Sequence, residues 1–265
     1  MKSRFNQKAY RKALIATAAL SLGITCSTAV LAQNSASDAK PSQSEWSLGA
    51  GVVTQQKVYR DIDRENYVLP LVSYENKWVS LSVPKADFKL YSTESLSLRL
   101  RARYDSDGYD PDDSSFLTGM DKRKSSIWVG GALLWKNDIA NVSAEVLTDS
   151  MGNSNGTRAG LKVDHRFGLG AFGLTPSVGV EWFNDNYVDY YYGVRASEAT
   201  VVRGVYQGDS TTAVDVGLRL DYSPSVLDTV FLDVSAKRFG SAIEDSPIVE
   251  EATQTTVSLG YLYRF

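Results

Sequence analysis

The last thirteen residues, Thr253 to Phe265, alternate without a break. Thr255, Val257, Leu259, Tyr261, Tyr263 and Phe265 fall on one side of an extended chain. Gln254, Thr256, Ser258, Gly260, Leu262 and Arg264 fall on the other. Side chains that repeat every two residues define a β-strand, because successive Cβ atoms point to opposite faces. The same alternation recurs upstream. Leu96, Leu98, Leu100, Ala102 and Tyr104 oppose Ser95, Ser97, Arg99, Arg101 and Arg103. Val214, Val216, Leu218, Leu220 and Tyr222 oppose Ala213, Asp215, Gly217, Arg219 and Asp221, and Val230, Leu232, Val234 and Ala236 oppose Phe231, Asp233, Ser235 and Lys237. After Trp46 no long segment has a helical period.

Strand length separates the architectures that could use such a pattern. Soluble strands run ~5–6 residues, whereas a tilted strand that crosses a bilayer needs ~9–11. These runs are of the second kind. The expected fold is therefore all-β, a transmembrane antiparallel β-barrel. A terminal Phe behind alternating apolar residues resembles the closing strand of a bacterial outer-membrane barrel, so Leu259, Tyr261, Tyr263 and Phe265 form the expected assembly signal.

Charge then assigns the faces. An Arg facing lipid at mid-membrane costs ~2–4 kcal/mol, so Arg99, Arg101 and Arg103 must face the lumen. Glu145, Asp164, Glu181, Asp215 and Asp233 share that face. A lumen only modestly wider than that of an eight-stranded, side-chain-filled barrel is expected to be largely occluded.

With the C-terminus in the periplasm, connections alternate between long external loops and short periplasmic turns. The external ones are 105–124, 149–156, 184–210 and 239–252. The periplasmic ones are 136–139, 168–173 and 223–227. Keeping the N-terminus periplasmic requires an even strand count. Twelve strands result if Pro84 splits residues 77–91 into two short strands, and ten if it does not. Pro70, inside Tyr67–Tyr74, removes a ladder donor and weakens the strand expected there.

The other end of the chain reads as an address. Lys2, Arg4, Lys8, Arg11 and Lys12 precede the apolar run Ala13 to Ile24, and V-L-A closes at Ala32. This pattern predicts a signal peptide over 1–32 with cleavage after Ala32, a disordered periplasmic leader over 33–45 and the barrel over 46–265. Cys26, the only cysteine, falls in the removed segment, so no disulfide or Cys-based metal site is expected. Taking the five basic residues from the total of 28 leaves 23 against 31 acidic ones, a formal charge of −8. Such a chain is no nucleic-acid binder.

Few residues suggest chemistry. His165 is the only histidine. It lies near a periplasmic turn without a Ser partner or nucleophile motif, which favours a structural role over a hydrolase site. Asp107, Asp110, Asp112 and Asp113 lack the spacing of a calcium loop and read as a solvated or lipopolysaccharide-bridging acidic stretch. Tyr187, Tyr190, Tyr191 and Tyr192 are unusual for an exposed loop, and form either a lid over the barrel mouth or a recognition surface. Trp46, Trp135, Trp182 and Tyr104 fall near strand ends as interfacial anchors. No enzymatic activity and no cofactor are expected.

Several stretches together resemble the MltA-interacting protein (MipA/OmpV) family. They are Y-V-L-P-L-V-S-Y-E-N at 67–76, D-S-M-G-N-S-N-G at 149–156, F-N-D-N-Y-V-D-Y-Y-Y-G-V-R-A-S-E-A at 183–199, E-D-S-P-I-V at 244–249 and the terminal G-Y-L-Y-R-F. The resemblance implies an outer-membrane barrel with no catalytic residues. It also implies a scaffold between two murein enzymes, a lytic transglycosylase and a bifunctional penicillin-binding protein. Outer-membrane lipids and lipopolysaccharide are the surroundings it implies. The alternative is a small pore, or a surface receptor or adhesin, that works through the external loops and the Arg99, Arg101, Arg103 stripe.

Overall fold

The computed structural model describes residues 44–62 and 64–265. The expected signal peptide and nearly all of the expected leader lie outside these residues. Glu45, assigned by the sequence to the leader, opens the first strand. The strands are β1 (Glu45–Gln56), β2 (Arg64–Glu75), β3 (Val79–Ser82), β4 (Lys85–Ser92), β5 (Leu96–Asp105), β6 (Ser126–Lys136), β7 (Asn141–Asp149), β8 (Thr157–Asp164), β9 (Phe167–Leu169), β10 (Phe172–Phe183), β11 (Thr211–Tyr222), β12 (Asp228–Phe239) and β13 (Thr253–Arg264). All pairings are antiparallel between neighbours, and β9 continues β8 along the same edge of β10. The thirteen segments therefore make a barrel of twelve staves, closed where β13 meets β1, from Ser47 opposite Arg264 to Gln55 opposite Thr256.

Twelve rather than ten follows from Pro84. Residues 79–92 fold into a short hairpin whose turn, Val83–Pro84, carries a cis peptide bond. This hairpin also explains Pro70. The N–H of Val83 donates to the carbonyl of Val72, so Val72 presents its backbone groups to β3. Alternate residues of a strand point the same way, and the N–H that Pro70 lacks would face that side too. Yet β3 pairs with β2 only from Ser73 to Glu75. Pro70 thus sits on an edge with no partner, where a proline costs no ladder bond.

Even-numbered residues of β11 and odd-numbered residues of β13 face lipid. Val214, Val216, Leu218, Leu220, Val257, Leu259 and Tyr261 are all exposed outside the wall, the apolar belt a bilayer demands. Aromatic rings mark its periplasmic rim: Trp46 lies 4.4 Å from Tyr74, Phe172 4.7 Å from Tyr222, and Tyr263 5.1 Å from Phe265. Trp46, Trp135 and Trp182 are exposed on the outer surface. Tyr104 departs from the anchoring role expected of it. It packs, with Tyr67 and Val83, against the small apolar cluster of Val53 and Leu69, because the wall beside β5 is interrupted there.

At the external end the long connections form a folded cap. Its core unites Val58 and Tyr59, Tyr109, Leu117 and Met120, the helix α1 (Asp185–Tyr192), Val194, and Ile243, Ile248 and Val249. A short helix α2 (Ser241–Glu244) lies in the last of these loops. Asn184 caps α1 by accepting from the Tyr187 N–H at 3.2 Å. Of three isolated bridges among the described residues, Tyr59 to Val249 joins two loops, while Tyr109 to Arg123 and Val194 to Tyr206 each fasten one loop to itself. A buried ion pair, Arg123 with Glu198 at 2.8 Å, joins loops 75 residues apart.

Candidate functional site

Beneath the cap the lumen is crossed by one continuous chain of charges. Asp87 on β4 accepts from Arg101 at 2.7 and 2.8 Å and from Arg99 at 3.2 Å. Arg101 also reaches Glu145 at 2.6 Å, and Glu145 holds Arg103 at 2.5 Å. Arg103 continues to Asp105 at 2.9 Å, and Asp105 takes Arg158 at 2.6 Å. Arg158 and Lys237 then share Glu181, at 2.5 and 2.8 Å. The Arg residues alternate along β5 and so reach across the lumen in succession, while Glu145, Arg158, Glu181 and Lys237 come from β7, β8, β10 and β12.

Arg158 is the junction between this network and the cap. Its guanidinium lies 5.3 Å from the ring centroids of Trp128 and Phe183 and 5.7 Å from that of Tyr187. Those rings form the cap floor: Phe183 stacks on Tyr187 at 4.4 Å, and Trp128 lies 5.6 Å from Tyr187. Trp128, Tyr187, Tyr191 and Arg158 are each at most 2% exposed. Burial, reinforced by the Asp107 carboxylate, pushes the Tyr187 and Tyr192 hydroxyls well above the ordinary phenol range, so both stay neutral hydrogen-bonding groups. A cation that is paired with carboxylates and roofed by aromatic faces regains much of the hydration energy it gave up.

The tyrosines of the α1 segment do not behave alike. Tyr187, Tyr191 and Tyr192 are buried in the cap core, with Tyr192 stacked on Tyr59 at 5.6 Å. Tyr190 is half-buried, and its hydroxyl accepts from the Lys124 N–H at 2.9 Å. The acidic stretch is less solvated than the sequence suggests. Asp107 turns inward to Arg158 and to the Tyr187 hydroxyl, at 3.2 and 2.8 Å. Asp110 caps the turn Pro111–Asp113 and takes Lys122 at 2.6 Å.

The expected lumen charges divide into two groups. Arg99, Arg101, Arg103, Glu145 and Glu181 belong to the network above. Asp215, 3.6 Å from Lys162, and Asp233, 3.1 Å from Arg219, make other pairs on or next to the staves that also carry Arg158, Glu181 and Lys237, and Asp164 accepts from Asn141 at 2.9 Å. Asp87, Asp105, Arg158 and Lys237 were not singled out by the sequence. Arg158 continues the lumen-facing alternation of Gly160, Lys162 and Asp164, so parity alone could have found it. Asp87 follows the turn at Pro84, which resets the parity. His165 stacks edge-on against Phe167 at 4.6 Å beside the periplasmic turn. Among the described residues no group of His, Cys, Asp and Glu has the arrangement of a metal site.

The periplasmic turns are short and closed by side-chain hydrogen bonds. Asn76 accepts from the N–H groups of Trp78 and Val79 at 2.7 and 2.6 Å. Asn137 accepts from those of Ile139 and Ala140 at 2.8 and 2.9 Å. Ser225 accepts from those of Leu227 and Asp228. These turns hold Ile139 and Val226 in solvent, 84% and 86% exposed.

A closed barrel with an apolar belt, aromatic rims, a charged lumen and a folded external cap is an outer-membrane β-barrel protein. Residues 48–265 match the family described as MltA-interacting protein MipA, and the chain belongs to that family. Among its relatives, outer membrane protein Omp26La of Vibrio anguillarum is 27% identical over 96% of this chain and 98% of its own length. The MltA-interacting protein of Escherichia coli (strain K12) is 27% identical over 84% of this chain and 91% of its own. Of solved structures, an outer membrane channel from Pseudomonas putida F1 is 11% identical over 86% of this chain and 97% of that one, with a TM-score of 0.41, too low to bear on function.

Proposed function

We propose that this protein is a closed outer-membrane anchor that holds a murein-processing enzyme, a lytic transglycosylase, against its periplasmic face. The observation that carries this reading is the sealed external end. The cap core and the network joined at Arg158 occupy the route a solute would take, which argues against a permeation role. The relative named MltA-interacting protein supports the partner class. The turns supply the contact surface, with Ile139 and Val226 as its exposed apolar side chains. The leader over 33–45 is the second proposed contact. A penicillin-binding protein would complete the assembly as a second enzyme.

A surface-receptor reading has one specific observation in its favour. The external turn Thr200–Arg203, anchored by the buried Arg203, holds Val201 and Val202 almost wholly in solvent.

Planar-bilayer conductance and affinity capture from solubilised envelope test the proposal together. The expected results are no steady conductance, and retention of a transglycosylase that is lost when Ile139 and Val226 are both replaced by Asp or when 33–45 is deleted. Steady conductance that changes with Arg101→Glu would make the protein a pore. Capture that survives both changes would refute the periplasmic contact proposed here.

A further inference from the structure

A small polar cavity lies under the cap floor, between the external end of β1 and the charge network. Gln55, Lys57, Asp105, Ser106, Arg158 and Lys237 line it, with the Tyr187 of the cap floor. Gln55 belongs to β1 and Lys57 follows it, Asp105 ends β5, and Ser106 begins the loop that enters the cap. One cavity thus borders a strand of the closing seam, the network and the root of the cap. It offers about 20 Å³ to the centre of a water molecule. One water needs ~10–15 Å³ measured in that way, so the space suits a single water or a monatomic ion.

Three side-chain oxygens of the lining have no hydrogen-bond partner among the described residues: Gln55 Oε1, Asp105 Oδ1 and Ser106 Oγ. Their residues are 4%, 1% and 7% exposed. Native structures rarely leave buried polar atoms unpaired, because each has given up its bonds to solvent. Asp105 spends its other oxygen, Oδ2, on Arg103 and Arg158. The Gln55 amide reaches only the Thr256 hydroxyl, at 3.5 Å. Turning that amide over exchanges its oxygen for its nitrogen and still leaves one end unpaired. The Lys57 ammonium has three protons, and finds the Ser106 carbonyl at 3.3 Å and Glu65 at 3.5 Å.

The balance of donors and acceptors selects the guest. Gln55 Oε1 and an ionised Asp105 Oδ1 can only accept, so the guest must donate twice. The Ser106 hydroxyl and the third proton of Lys57 need an acceptor, so the guest must also accept. Water does both. A metal ion or an ammonium ion accepts nothing, and it would face the positive charges of Lys57, Arg158 and Lys237.

We propose that this cavity is a binding site for one water molecule that forms a fixed part of the closure. The water donates to Gln55 Oε1 and Asp105 Oδ1 and accepts from Ser106 Oγ and the Lys57 ammonium. It ties β1, which pairs with β13 across the seam, to the network at Asp105 and to the cap at Ser106. Gln55 and Ser106, whose side chains share no direct hydrogen bond, act on each other through it.

Crystals of the full chain folded in detergent, grown in potassium salt and soaked in thallium(I), test the site directly. The expected result is a single peak of density ~2.7–3.0 Å from the Gln55 amide and from Ser106 Oγ, with no anomalous signal from thallium. A thallium peak there would make the guest a cation and overturn the water. An empty cavity would overturn the site itself.

A second measurement asks whether the two side chains are coupled in solution. Gln55→Leu and Ser106→Ala are compared, alone and together, by urea unfolding read through heat-modifiable gel mobility. Whichever change comes first deprives the water of a partner, so the double variant should lose less than the product of the two single losses, by ~twofold or more in the folding equilibrium constant. Gln55→Leu combined with Ser225→Ala, at a periplasmic turn, should show simple multiplication. Simple multiplication for Gln55→Leu with Ser106→Ala would count against a shared water.

Discussion

The Tyr187 hydroxyl donates to Asp107 Oδ2 at 2.8 Å, and the same oxygen takes Arg158 Nη1 at 3.2 Å. One carboxylate oxygen thus joins the aromatic cap to the lumen network. The lid and the charge stripe, which look like separate features along the chain, are the roof and the beams of one closure. In the closed anchor proposed above, solute passage would require both to move.

Tyr187 separates packing from hydrogen bonding in that closure. Tyr187→Phe should cost ~1 kcal/mol, the net worth of one hydrogen bond, and leave planar bilayers non-conducting. Tyr187→Ala should cost ~3–5 kcal/mol, as deletions of large buried rings do, and should open a measurable conductance. A silent Tyr187→Ala barrel would mean that the network alone seals the lumen.

Arg158 should be the most sensitive charge in the protein. Its side chain and that of Asp105 are 2% and 1% exposed. Arg158→Ala leaves Asp105 and Glu181 short of a cation, a loss of ~3–5 kcal/mol for a broken buried pair. Urea unfolding followed by gel mobility reads this. In a double-mutant cycle with Glu181→Gln the two changes should couple by ~1 kcal/mol or more.

Acid should loosen the cap at Glu198. Burial alone would raise its pKa, but the Arg123 guanidinium and the N–H groups of Arg195 and Asp121 hold it at about 2. A carboxylate depressed on folding contributes stability that is complete above its ordinary pKa and disappears as pH falls through the folded value. Protease cleavage within 195–206 on intact outer membranes should therefore rise as the pH falls from about 5 towards about 2. In Glu198→Gln the cleavage should already be high at neutral pH and should change little with acid. Identical profiles for the two proteins would remove Glu198 from the account.

Barrel closure should depend on a glycine. A Cβ at Gly49 would lie 1.8 Å from the Tyr261 carbonyl oxygen across the β1–β13 seam, whereas one at Gly131 meets nothing within 4 Å. Gly49→Ala should reduce the heat-modifiable folded fraction, and Gly131→Ala should not. Deletion of Tyr263–Phe265 should have the larger effect, because it removes the pairs of Leu48 with Tyr263 and Ser47 with Arg264 and the Phe265 N–H bond to the Trp46 carbonyl.

A transmembrane barrel was written in the local order of the residues. Alternation, strand length and the cost of Arg99, Arg101 and Arg103 in lipid depend on near neighbours alone, so they give the strands, their faces and the closing role of the C-terminus. Pro84 marked the choice between ten and twelve strands, and the hairpin it turns made that choice. Pairings between distant residues had no such local signature. Arg123 finds Glu198 only once two loops are packed together, and Asp107 is bonded to Tyr187 and Arg158 only because α1 lies against it. The same holds for Pro70, which argued against a strand when read in sequence and is harmless in the fold. The reason is physical: a proline costs only the hydrogen bond its neighbour would have offered, and whether a neighbour is there is decided by tertiary structure.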